Sequence, residues 1–306
     1  MPPPDPRTSV VVLTHNRADE LARTLRRLQA LPEQPHVIVV DNASSDATAA
    51  RLAAEFSGVE RVRCPSNLGA AGRNLGVARV QTPYVAFCDD DTWWEPHALR
   101  RAADLLDAHP TVGAVAARVL VGPENRTDPT CLSMAGSPLE RAGLPGPALI
   151  GFMAGAVVMR AVAFREVGGY EGRFFIGGEE ALMGLDLAVR GWRMVYADDV
   201  VTHHHPSPAR DVGLRRALHT RNLLWLAWMR LPWASAWDET KRLLQQAGSG
   251  SARWARVGQA LRGLPWVLRE RRVLPPHVHR DYVAVRNRVL GRTGAGGTSI
   301  ANSREA

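Results

Sequence analysis

Three carboxylates in succession, Asp89, Asp90 and Asp91, close the apolar run 84–88. Adjacent aspartates raise one another's pKa and repel when crowded, so the cluster asks for a counter-charge. A divalent cation supplies one. Mg²⁺ takes one or two carboxylates and fills its remaining positions with water and substrate phosphate oxygens. Side chains alternate along an extended strand. That predicts Asp89 and Asp91 on one side and Asp90 on the other. Asp91 is then the first candidate metal ligand, with Asp89 or Asp90 turned to a ribose or a metal-bound water. The competing reading is an acidic turn facing solvent.

Other clusters could share this chemistry. The stretch "FFIGGEEALMG" (174–184) places Glu179 and Glu180 behind two glycines at a helix start. Acids there also favour the helix dipole, but the glycines allow close approach of backbone to a ligand. A general base for a hydroxyl needs one carboxylate within hydrogen-bond reach. In "VTHHHPSP" (201–208), one histidine at a strand end would complete a metal shell and favour Mn²⁺ over Mg²⁺. An exposed loop is the alternative. Asp41, after the run 36–40, is placed to accept from a base or ribose. Arg73 and Asn74, within "NLGAAGRNLG" (67–76), could reach a diphosphate or a base. The first strand is followed by "THNRADE" and not by GxGxxG, which disfavours a hydride-transfer cofactor.

The elements that must position these residues are legible in the first ninety residues. Apolar runs at 9–14, 36–40 and 84–88, and the segment 59–64, read as strands. Helical periods lie between them at 18–31, 45–56 (capped by Ser44 or Ser45) and 69–80. Unbroken apolar strands alternating with amphipathic helices predict an α/β fold with a mostly parallel sheet flanked by helices. Ligands in such sheets bind at the carboxyl ends of the strands, where the polar clusters 14–17, 41–46 and 89–91 converge. Beyond them, 112–120, 151–160 and 192–197 read as strands, and 163–170 and 179–191 as helices. The Gly- and Pro-rich 131–149 reads as a loop. The expected organisation is a tail 1–8, a catalytic domain 9–212 divided at 91, a basic helical extension 213–290 and a disordered tail 291–306.

Charge divides the chain. Residues 1–206 carry a net −4 and residues 207–306 a net +12. Six of the nine tryptophans fall in 225–266, among many arginines. Trp and Arg on amphipathic helices suit an anionic membrane surface; a helical cap with its tryptophans inside is the alternative. Nucleic acid is disfavoured, since no binding module is recognisable. No run reaches the roughly 18 to 20 apolar residues of a membrane span. Cys64, Cys88 and Cys131 lack metal-ligand spacing and are odd in number, so a reducing compartment is expected. With no apolar leader, the expectation is a cytoplasmic protein, peripheral on the inner face of the cell membrane if the basic region binds lipid.

The ordered set of motifs resembles the family 2 glycosyltransferases of the GT-A fold, closest in pattern to bacterial rhamnosyltransferase-like members. Thr14, Asn16 and Arg17 match a T-x-N-R segment, and Asp41, Asn42, Ser44 and Asp46 a D-N-x-S-x-D segment. "NLGAAGRNLG", "DDDTWWEP", "GAVVMRAVAFREVGGYEGRFF", "GGEEALMGLDLAVRGW" and "ALHTRNLLWL" match further family segments in order, from about residue 9 to 230. The resemblance implies inverting transfer of a sugar from a nucleotide-diphosphate sugar to a saccharide or lipid-linked acceptor. It implies a nucleotide-sugar site including Thr14, Asn16, Arg17, Asp41, Asn42, Arg73, Asn74, Asp89 and Asp90. It implies a divalent cation (Mg²⁺ or Mn²⁺) at Asp91, with Asp89 and His203 beside it, and Glu180 as base. Three positions depart from the pattern: Glu180 stands where Asp is usual, Leu182 replaces a second acid, and His15 replaces a common Tyr. The first keeps Glu179 open as the base. A sugar-1-phosphate nucleotidyltransferase ranks lower, because no Gly-rich basic loop follows the first strand. A non-catalytic nucleotide-sugar-binding protein is the remaining alternative.

Overall fold

The computed structural model describes residues 4–207, 212–246 and 251–291. The first half forms as its apolar runs dictate. Strands β1 (Thr8–Thr14), β2 (His36–Asp41), β3 (Glu60–Arg63) and β4 (Tyr84–Asp89) alternate with helices α1 (Ala18–Gln29), α2 (Thr48–Glu55) and α3 (Gly72–Val77). The strands lie parallel in the order β3-β2-β1-β4. Val10, Val11, Val12 and Ile38 have no exposure, because helices cover both sheet faces. Helix α2 starts at Thr48, later than the sequence suggests. The Asp46 carboxylate accepts from the Thr48 N–H (3.0 Å) and hydroxyl (2.5 Å), so Asp46 satisfies the helix start in place of Ser44 or Ser45. The leading segment is docked from Asp5 onward: Asp5 is buried and its N–H bonds the Glu33 carbonyl at 3.0 Å.

The second half adds β5 (Thr92–Trp94), α4 (Ala98–Ala108), β6 (Val112–Val121), β7 (Arg126–Thr127), α5 (Pro129–Ala135) and β8 (Ala148–Leu149). It continues with β9 (Val157–Arg160), α6 (Ala161–Glu166), α7 (Glu179–Val189) and β10 (Arg193–His204). The sheet runs on from β4 as β9-β6-β10-β5. β9 is antiparallel to both neighbours, β6 and β10 are parallel, and β5 is antiparallel to β10. The sheet is therefore the expected helix-flanked α/β sheet, parallel through β4 and mixed beyond it. Parallel neighbours need a crossover, usually a helix. Residues 150–156 bring β9 in beside Phe87, and it runs back along β4. The expected loop 131–149 holds part of α5, whose Asp128 cap accepts from the Thr130 N–H at 2.7 Å ahead of Pro129.

Helices α8 (Val212–Arg230), α9 (Trp233–Gln246), α10 (Ser251–Arg262), α11 (Leu264–Arg269) and α12 (Pro276–Val289) form the C-terminal part. A second apolar cluster joins them to α7: Phe174, Leu182 and Leu185 pack with Trp225, Leu226, Met229, Val267 and Val278. Leu182, at the position of a family acid, is thus a core residue. Arg230, which interrupts the apolar run 222–237, is buried against Asp186 of α7 by two hydrogen bonds of 2.6 and 2.8 Å. Among the described residues no helix is long and apolar enough to cross a membrane. The expected disordered tail lies, from residue 292, outside the described residues.

Candidate active site

The three acids do not alternate as an extended strand would have them. β4 ends at Asp89, and Asp90–Asp91 make a turn into β5. Asp89 pairs with the buried Arg73 of α3. Asp90 and Asp91 instead both turn to Arg17, whose Nη1 lies 3.0 Å from Asp90 Oδ1 and 3.6 Å from Asp91 Oδ2. Asp90 also accepts from the Thr14 hydroxyl at 3.0 Å, and its carbonyl accepts from Thr24 Oγ1 at 2.8 Å. Burial pushes the Asp90 carboxyl up to about 7; Arg17 opposes this, and Asp91 and Asp89 reinforce it.

Asp91 is buried. Its Oδ2 accepts from the Ser207 N–H at 3.2 Å, and its Oδ1 lies 3.6 Å from His204 Nε2. The histidine facing the acid is therefore His204 and not His203. β10 runs on to His204, and side chains alternate along it. His203 points the other way: it stacks on Trp93 at 5.4 Å between ring centres, and its Nδ1 lies 3.1 Å from Asn125 Oδ1. One carboxylate and one imidazole suit a cation that keeps waters and takes oxygens from a substrate phosphate. Among the described residues no group of three or more His, Cys, Asp or Glu comes together to hold a metal. Asp89, committed to Arg73, is not part of the Asp91–His204 pair.

Glu179 and Glu180 open α7 behind Gly177 and Gly178, which have φ of 89° and 92°. These angles suit glycine. Glu179 is buried, and its Oε2 has no hydrogen-bond partner. Burial, and then the charge of Glu180, hold its pKa above the carboxylate range. Burial also raises Glu180, with Arg73 opposing and Asp89 reinforcing. Burial works against the charge of Arg73, yet Asp89, Tyr170, Glu179 and Glu180 outweigh it and raise its pKa. Arg73 also lies over the Tyr170 ring at 5.6 Å. The result is one buried cation among three carboxylates from β4 and α7. Gly155 allows this crowding: a Cβ there would sit 3.0 Å from Asp89 Oδ2.

The remaining candidates are largely engaged within the fold. Asp41 is buried, pairs with Arg63, and accepts from the Ser44 N–H at 2.8 Å. The Asn16 side chain takes the Ser45 N–H (2.7 Å) and the Asn42 side chain brackets Asn67, Leu68 and Gly69. Both Asn74 amide atoms bond the backbone of Tyr170 at 2.9 Å. Asn16, Asn42 and Asn74 thus brace loops. Sequence reasoning missed Arg63, Tyr170 and His204. Arg63 ends β3 opposite Asp41 in the parallel β2–β3 register.

A profile described as Glycosyl transferase family 2 matches residues 9–168. The N-acetylglucosaminyl-diphospho-decaprenol L-rhamnosyltransferase of Mycobacterium tuberculosis is 24% identical over 268 residues, covering 73% of this chain and 86% of that protein. The pre-mycofactocin glycosyltransferase of the same organism is 30% identical over 223 residues, covering 69% of this chain and 45% of its own length. Among solved structures, S. aureus TarS 1–349 in complex with UDP-GlcNAc superposes with a TM-score of 0.62 at 15% identity, covering 94% of this chain and 93% of that one. The mannosyltransferase PcManGT from Pyrobaculum calidifontis, in complex with GDP-Man and Mn²⁺, gives 0.58 at 20% identity, covering 95% and 89%. These likenesses establish the GT-A fold.

Proposed function

The chain belongs to glycosyl transferase family 2, and from that premise we propose an inverting transfer of one sugar from a nucleotide-diphosphate sugar to an acceptor hydroxyl. The single observation that carries the reading is the grouping of Glu179, Glu180 and Asp89 around Arg73, beside the strand ends that bear Asp91 and His204. Glu180 takes the acceptor proton. The freed oxygen attacks the anomeric carbon from the face opposite the diphosphate, one C–O bond forming as the other breaks. The transition state is oxocarbenium-like. Arg73 draws the pKa of Glu179 and Glu180 down against the effect of burial. Asp91 and His204 would hold a divalent cation, which supplies charge neutralisation for the departing diphosphate. Asp41 and Arg63 would face the nucleoside, and Arg17 the phosphates.

The acceptor is proposed to be lipid-linked, in cell-envelope synthesis. The mycobacterial relative named for a decaprenol diphosphate acceptor supports this. So does the basic C-terminal part, where Trp233 and Trp237, one helical turn apart, are each 54% exposed. An anionic membrane surface suits that combination. Replacing Glu180 by Gln tests the assignment of the base: transfer is lost while donor affinity stays. Wild-type turnover by that variant would refute it.

A further inference from the structure

Helix α8 opens the C-terminal extension, yet two of its side chains reach the segment that leads into the acids of α7. Asn222 has no exposed surface. Its Nδ2 donates to the carbonyls of Phe174 (2.8 Å), Ile176 (3.2 Å) and Gly177 (2.6 Å). Arg221 fixes the sense of the amide. Its Nε and Nη2 donate to Asn222 Oδ1 at 3.0 and 2.8 Å, and a guanidinium can only donate, so Nδ2 must face the carbonyls. Arg221 Nη2 also reaches the carbonyls of Arg173 (3.2 Å) and Phe174 (3.0 Å).

The segment held this way is strained. Phe175 has φ 62° and ψ −67°, and the Ile176 N–H bonds the Phe174 carbonyl at 2.8 Å. That is a γ-turn of the rare, positive-φ sense. Such a backbone persists only where its surroundings impose it. On the opposite side, the Phe175 carbonyl accepts from the Ala70 N–H at 2.6 Å, in the loop that Asn42 brackets. The turn is thus gripped between α8 and the nucleotide-side loop. Gly177 and Gly178 follow it, and then Glu179 and Glu180. The apolar cluster around Trp225 already packs α8 against α7. An amide spread over three carbonyls of one strained turn adds nothing to that packing, but it does fix where α7 begins.

We propose that Asn222, oriented by Arg221, is a positioning residue that holds the 174–178 turn and so sets the place of the base at the start of α7. The inference rests on the glycosyltransferase reading with Glu180 as base. Its test uses the full chain as wild type, Asn222→Ala and Arg221→Lys, with steady-state kinetics, donor binding and amide hydrogen exchange. A displacement near 1 Å costs on the order of 100-fold in rate, so Asn222→Ala should lower kcat by roughly that factor. Donor KM should change by less than about twofold, because the interaction lost acts only on the reacting geometry. Arg221→Lys, which keeps the charge but not the fork that orients the amide, should lower kcat by about 10-fold with the same split. In both variants the amides of 175–180 exchange faster while those of β1 and β4 do not. Unchanged kcat in both variants, equal losses in kcat and donor affinity, or exchange that quickens throughout the domain overturns the proposal. If Asn222→Ala does not fold, Arg221→Lys carries the same test. A wild type that turns over no nucleotide sugar refutes the glycosyltransferase reading instead. The exchange pattern then decides the clamp alone, with local quickening sustaining it and its absence overturning it.

Discussion

Arg73 is the most consequential side chain in the acid cluster, and replacing it by Met tests the electrostatic account directly. Its side chain is 6% exposed and it pairs with Asp89, whose side chain is 35% exposed. Removing one partner of a buried pair costs about 3–5 kcal/mol, because the other charge is left uncompensated. Water can reach Asp89, so the lower end, about 3 kcal/mol, applies here. In a domain of 150–250 residues each kcal/mol moves Tm by roughly 2–4 °C, giving an expected drop of roughly 6–12 °C near neutral pH. The loss must also depend on pH. Burial holds Glu179 and Glu180 above the ordinary 4.5, and Arg73 pulls both down. Without Arg73 they rise further. A group whose folded pKa exceeds its unfolded value lends stability that is complete below the unfolded pKa and is lost as pH climbs through the folded one. The deficit of Arg73→Met should therefore be smallest near pH 4.5 and grow into the alkaline range. Thermal unfolding of both proteins at pH 5, 7 and 9 measures it. A deficit that is independent of pH, or below about 1 kcal/mol, the ceiling for an exposed pair, would refute the reasoning.

Three further outcomes follow from the same geometry. His204→Ala should abolish Mn²⁺-dependent turnover, whereas His203→Ala should retain most of it, as the two variants' metal titrations will show. Glu179→Gln removes a buried carboxylate with a raised pKa; by the same sign argument it should raise Tm at pH 9 and leave it nearly unchanged at pH 4.5, read by thermal unfolding. The double variant Trp233→Ala/Trp237→Ala should lose binding to anionic vesicles at low salt while keeping turnover of a soluble acceptor; co-sedimentation unchanged from wild type would set the membrane reading aside.

The first half was legible because β1, β2 and β4 are buried on both faces. Each unbroken apolar run fixes a strand, and each polar residue after it marks a carboxyl end. What could not be read is where the strand period stops. Asp89 to Asp91 look alike in sequence, yet the turn at Asp90–Asp91 sends two acids to Arg17 and leaves one to Arg73. Likewise the resemblance picks His203 from "HHH", whereas the structure turns His204 to Asp91. The choice depends on β10 continuing for 12 residues to pair antiparallel with β5, a three-residue strand with no periodicity to detect. α5 was detectable, since an Asp followed by Pro is a helix-start signal. Asn222 lay in the family segment "ALHTRNLLWL", yet nothing there showed what it holds. Its role depends on three backbone carbonyls some 45 residues earlier, and backbone partners leave no mark on composition. The tryptophans divide in the same way: Trp225 of α8 is buried in the cluster that joins α8 to α7, while Trp233 and Trp237 stay at the surface, a distinction set by tertiary packing.

The central claim is sugar transfer from an activated nucleotide donor, and its most direct measurement is product analysis across UDP-, GDP- and dTDP-sugars with Mn²⁺ and a polyprenyl-diphosphate saccharide acceptor. Release of the nucleoside diphosphate from one donor class is expected, dependent on acceptor, with the anomeric configuration inverted in the product and no release by Glu180→Gln. Release of pyrophosphate would instead mark a nucleotidyltransferase. No release with any donor would leave a nucleotide-sugar-binding protein and contradict the account.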